Sequence, residues 1–150
     1  MTEITRSIEI QASRNRVWAH IQPRNWTKIF DFVREVNGCT EDGEAGVGTE
    51  ARIETGEDDT AVKYKVAITE FVEHSRIAYR RYGGPLTGKG EIQIKSLGSG
   101  TLLRRTSYYD DDLSKETIRM LSEGLEKDNQ RLKSTIEKTG SNPGVSQPVV

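Results

Sequence analysis

The segment AVKYKVAI, residues 61–68, sets Val62, Tyr64, Val66 and Ile68 on one side and Lys63, Lys65 and Ala67 on the other. A period of two predicts a strand with one dry and one wet face. RIAYRRY repeats the pattern with Ile77 and Tyr79 inward and carries Arg81 with them. EIQIK does so with Ile92 and Ile94, and GTEARIE more weakly with Ala51 and Ile53. In TLLRRTSYY two registers compete: one buries Leu103, Arg105, Ser107 and Tyr109, the other Leu102, Arg104, Thr106 and Tyr108. Turn signals between Val36 and Tyr109 divide this region into six strands, read as an antiparallel meander.

The flanking segments have other periods. ITRSIEI alternates Ile4, Ile8 and Ile10 with polar residues and reads as a first strand. Ser13 is placed to cap a short helix whose Val17, Trp18 and Ile21 share a side, and Pro23 interrupts it. NWTKIFDFV has Trp26, Ile29, Phe30 and Val33 at helical spacing, which predicts a second helix through Val33. After DDDL, Ser114 can cap a long final helix whose apolar stripe is Ile118, Leu121, Leu125, Leu132 and Ile136. Glu123 and Lys127 are spaced to pair on its exposed side. Asp128 and Asn129 interrupt the stripe where an apolar residue belongs, so either can point into a polar part of the interior.

The chain has 150 residues, enough for one domain burying roughly 70% of its unfolded surface. TGSNPGVSQPVV, uncharged and aperiodic, reads as a flexible tail, which puts the domain at 1–138 and the tail at 139–150. A net charge of −1 gives no general attraction to nucleic acid or anionic lipid. Cys39 stands alone, so no internal disulfide is possible. With neither a signal peptide nor an apolar run of spanning length, a soluble cytoplasmic protein without integral membrane association is expected, as monomer or homodimer.

The order of strand, two short helices, six strands and long helix resembles the START-like helix-grip superfamily (SRPBCC), particularly its polyketide cyclase/dehydrase-like branch. ASRNRVWAHI is similar to that family's first helix, NWTKIFDFVREV to its Trp-containing second, and GVGTEARI to its Gly-x-Gly-Thr strand start. GEIQIKSLGSGTLLRRTSYY is similar to its sixth-to-seventh-strand hairpin. The resemblance covers about residues 3 to 138. It implies an α+β fold in which a curved, seven-stranded antiparallel sheet wraps the C-terminal helix and leaves a cavity between them. It places the mouth loops at Thr55 to Thr60, with Gly56 and Asp58, and at Gly83 to Gly90, with Pro85 and Leu86.

GGPLTGKG, residues 83–90, is one residue short of a phosphate-binding loop, with Gly90 where Ser or Thr belongs. Such a loop needs a following helix, whereas here the strand EIQIK follows. A hairpin is therefore expected, and no nucleotide cofactor. Gly88 and Gly90 share the inward parity of Ile92 and Ile94, and their missing side chains are expected to leave space beneath the sheet. His20, His74 and Cys39 assemble neither a nucleophile–base pair nor a tetrahedral metal site. EDGE and DDD lack calcium-loop spacing, so no metal is expected.

What distinguishes the chain is polarity at inward positions. Tyr64, Tyr79, Arg81, one of Arg104 and Arg105, Tyr109 and Asp128 would stand beside Leu121 and Leu125 around a ligand cavity. In the inward register of Leu103 the arginine is Arg105. A guanidinium is costly to bury unless paired, and its planar fork suits a carboxylate or phenolate. The charged RRT of the last strand points away from a purely lipidic ligand. The leading reading is a protein that carries, sequesters or senses a small amphipathic or hydrophobic molecule, aromatic or acidic. The alternatives are a cyclase or aromatase polarising carbonyls with Tyr and Arg, and a protein-interaction module. A perturbed Tyr or Asp in the pocket would favour the enzyme, and a filled core beside an exposed apolar patch the module.

Overall fold

A computed structural model describes residues 1–39, 45–55 and 62–138. The seven strands are β1 (Thr2–Ile10), β2 (Val33–Asn37), β3 (Glu50–Thr55), β4 (Val62–Val72), β5 (Arg76–Tyr82), β6 (Gly88–Leu97) and β7 (Gly100–Tyr109). They form one antiparallel sheet in the order β1-β7-β6-β5-β4-β3-β2. Helices α1 (Arg14–His20) and α2 (Trp26–Ile29), with a 3-10 turn at Pro23–Asn25 between them, separate β1 from β2. The long helix α3 (Lys115–Lys138) closes the described chain and packs against β1. This is the α+β helix-grip architecture expected. Residues 139–150, read as a tail, lie outside the described residues, as do Gly56 and Asp58.

Local chemistry sets the helix boundaries. Ser13 accepts a hydrogen bond from the Arg16 amide at 3.3 Å and caps α1. Ser114 does the same for α3, accepting from the Thr117 amide at 3.1 Å. Within α3 the buried positions are Ser122, Leu125, Asn129, Leu132 and Ile136, a three- and four-residue rhythm broken twice by polar side chains. Leu132 and Ile136 join Ile10, Val17, Ile21, Ile77 and Leu103 in the main core. Leu125 instead packs with Ile4 and Tyr109, flanked by Leu86, Leu113, Ile118 and Leu121, in a second cluster.

Three expectations need correction. The second helix stops at Ile29, and Phe30 is already extended (φ −121°, ψ 120°). The Glu54 amide takes the Phe32 carbonyl at 2.8 Å and Val33 pairs with Ile53, so the sheet ladder claims this segment from the helix. On α3, Glu123 pairs not with Lys127 but with Arg119 one turn earlier, at 3.0 Å. Beneath Gly90 there is no empty space: a Cβ there would come within 2.5 Å of Tyr79 ring atoms. The absent side chain is what lets the Tyr79 ring lie against the sheet.

The glycines on opposite walls therefore predict opposite outcomes. Gly90→Ala should cost about 1–3 kcal/mol in urea denaturation, because Tyr79 must leave its site. Gly124, inside α3 with nothing within 4 Å of an added Cβ, should gain about 0.5–1 kcal/mol on change to alanine. Equal effects at both positions would show that Tyr79 is not held by Gly90.

Candidate ligand cavity

Strand alternation carries a row of side chains into the space between sheet and α3. The β1–β7 pairing sets Ile8 opposite Leu103, Arg6 opposite Arg105 and Ile4 opposite Ser107, which decides the register of the last strand. Cross-strand partners share a face, so β1's isoleucines carry Arg105, Ser107 and Tyr109 inward. Arg104 faces out and donates to the Gln93 side-chain Oε1 at 2.7 Å. Tyr64 arrives from β4, and Tyr79 and Arg81 from β5.

These side chains line a pocket of about 300 Å³. All eight residues singled out for a cavity are in its wall: Tyr64, Tyr79, Arg81, Arg105, Tyr109, Leu121, Leu125 and Asp128. Trp26, Phe30 and Phe32, from α2 and the segment after it, complete the aromatic side and were not foreseen as wall residues. Met120 and Gly124 lie on the exposed side of α3 at the rim. Pro85 is exposed, and Leu86 belongs to the second apolar cluster beside Tyr109 and Leu125; neither lines the pocket. GGPLTGKG runs from β5 into β6 with no helix after it.

The two inward arginines are the unusual feature. Arg81 is only 4% exposed; it donates to the Tyr108 carbonyl at 3.3 Å and its guanidinium carbon lies 4.4 Å over the Tyr109 ring. Arg105 is 8% exposed and lies 4.9 Å over the Phe30 ring. Its Nη1 stands 3.5 Å from Asp128 Oδ2, an ion pair without a hydrogen bond. Nε and Nη1 of Arg105 have no hydrogen-bond partner among the described residues. No carboxylate among them pairs with Arg81. Aromatic faces give both cations some compensation, but among the described residues one carboxylate serves two buried guanidiniums.

The environment also perturbs the acids. Burial, reinforced by the nearby Tyr79, pushes the Tyr64 hydroxyl up to about 12, with Arg81 opposing. Burial likewise raises Tyr109, again against Arg81. Both phenols therefore keep their protons at neutral pH and present O–H donors. Burial raises Asp128 above the ordinary aspartate value, and Arg105 pulls it back.

Other candidate groups lie elsewhere. His20 Nδ1 is 2.9 Å from the Arg16 carbonyl, and His74 lies against the Trp18 ring. Of the DDD segment, Asp110 accepts from Thr87 and Asp112 pairs with the amino terminus. Among the described residues no three His, Cys, Asp or Glu side chains are grouped to hold a metal, and no helix is long and apolar enough to cross a membrane. EDGE falls outside the described residues.

The chain belongs to the polyketide cyclase/dehydrase and lipid transport family, whose family model matches residues 1–137. Solved structures share the fold at low identity. A START superfamily protein from Mycobacterium smegmatis is 14% identical with a TM-score of 0.71, covering 91% of this chain and 98% of its own. A protein from Thermus thermophilus is 17% identical with a TM-score of 0.72, covering 93% and 100%. The Aha1 dimer from Colwellia psychrerythraea is 15% identical with a TM-score of 0.68, covering 91% and 97%. No curated protein sequence matches the chain.

The balance at Asp128 gives a stability test. Its folded-state pKa lies above the unfolded value, so the protonated carboxyl favours folding in acid, and that contribution is lost as pH rises through the folded value. Asp128→Asn, which mimics the protonated form, should melt above wild type at neutral pH and converge with it in acid. A lower melting temperature at neutral pH would mean that attraction to Arg105 outweighs burial.

Proposed function

We propose that this chain binds a small amphipathic molecule with an aromatic body and an anionic group, as a carrier, reservoir or sensor. The observation that carries this reading is the charge imbalance of the cavity: among the described residues Arg81 and Arg105, both buried, face a single carboxylate, Asp128. Apolar and aromatic walls suit the body of such a ligand, and a guanidinium with no carboxylate partner suits its acid. Protonated Tyr64 and Tyr109 add hydroxyl donors for further oxygens.

Anilinonaphthalene sulfonate, an anionic aromatic fluorophore, is a suitable probe. Arg81→Leu should weaken it about 10- to 100-fold, corresponding to roughly 1.5–3 kcal/mol for a charge-assisted hydrogen bond, with the melting curve still cooperative. Leu125→Trp should reduce the number of binding sites, because the indole would fill the wall where Leu125 now stands. Wild-type protein that fails to bind the probe, or binds it equally well in both variants, contradicts the reading.

One observation supports a second reading, a cyclase. A phenol held protonated to about 12 beside Arg81 can donate to a ketone oxygen as negative charge develops there. Incubation with a linear poly-β-ketone separates the two. A cyclised product whose formation rate falls in Tyr64→Phe would favour catalysis, and recovery of the unchanged compound favours binding.

A further inference from the structure

Asp128 occupies an awkward position for a site that accepts anions. It projects from α3 into the same cavity as Arg105, and its side chain is 16% exposed. Its contact with Arg105 is long, at 3.5 Å, and lacks hydrogen-bond geometry. The other charges near it are already engaged with each other. Arg131, one turn further along α3, pairs with Asp31 at 2.5 Å, and Asp31 comes from the segment joining α2 to β2. On β1, Arg6 is held by Glu126 at 2.8 Å. Arg105 on β7 is therefore the cation on which an ionised Asp128 depends.

We infer that Asp128 is a specificity-determining competitor: an anionic ligand reaching Arg105 displaces the Asp128 carboxylate, which takes up a proton from solvent as the ligand binds. This rests on the ligand reading given above and adds a rule to it. Two carboxylates cannot share one guanidinium in a dry pocket without repulsion, whereas one anion and one neutral acid can. Burial already opposes ionisation of Asp128, so loss of Arg105 and approach of a second negative charge push it in the same direction. The proton moves from buffer to an Asp128 carboxylate oxygen, and the ligand remains an anion. Binding should weaken as pH rises, by up to about tenfold per pH unit between the free and ligand-bound values of Asp128.

Calorimetric titration with anilinonaphthalene sulfonate tests this, because a sulfonate stays ionised throughout and any proton taken up belongs to the protein. Titrations are run between about pH 5 and about pH 8, in buffers of different ionisation enthalpy. The wild type should show uptake approaching about one proton per probe. Asp128→Asn should show none, bind more tightly at neutral pH and lose the pH dependence. Probe binding without proton uptake in the wild type, or with the same uptake in Asp128→Asn, overturns the inference while leaving the cavity reading intact. Absence of wild-type binding overturns both. The wild-type buffer dependence is decisive by itself should the variant fold poorly.

Discussion

Two guanidinium groups are held out of water by the same alternation that builds the core. On β5, Ile77 and Arg81 are four residues apart and share a face; on β7, so do Leu103 and Arg105, two residues apart. The sheet cannot bury the isoleucine and leucine without also turning the arginines inward. That coupling has a cost, since a buried cation requires compensation. Tyr109 and Phe30 supply ring faces and Asp128 supplies a carboxylate, but among the described residues the set remains one negative charge short. A fold that needed only stability could place apolar side chains at both positions.

The rest of the cavity follows from keeping that polar group enclosed and accessible. Gly90 lets the Tyr79 ring lie against the sheet, as part of the wall. Gly124 removes a side chain from the rim on α3. The helix keeps Leu132 and Ile136 in the main core and sets Leu121, Leu125 and Asp128 over the pocket, so anchoring and lining are shared between its two halves.

Much of this was legible in the sequence because strands obey a strict rule. Parity turned Tyr64, Tyr79 and Arg81 inward, and the broken stripe of the last helix pointed to Asp128 or Asn129, of which Asp128 lines the pocket. Parity alone could not choose between Arg104 and Arg105, since each register places a leucine inside. The choice becomes forced only once β7 is paired with β1, whose isoleucines have one possible face. Trp26, Phe30 and Phe32 were harder. NWTKIFDFV satisfies helical spacing through Val33, and a short aromatic run carries no local signal that a neighbouring strand will claim its backbone. The space expected under Gly90 was misjudged for a related reason. Parity gives the side of the sheet on which a neighbour lies, but not how far a large ring on the next strand will lean.

The central claim is that the cavity selects for negative charge rather than for apolar bulk alone. Side-by-side titration with anilinonaphthalene sulfonate and N-phenylnaphthylamine, the same aromatic frame without the sulfonate, measures that preference directly. The account predicts tighter binding of the sulfonate, with the advantage lost in Arg81→Leu. Equal affinity for the two probes, or preference for the neutral one in the wild type, would contradict it.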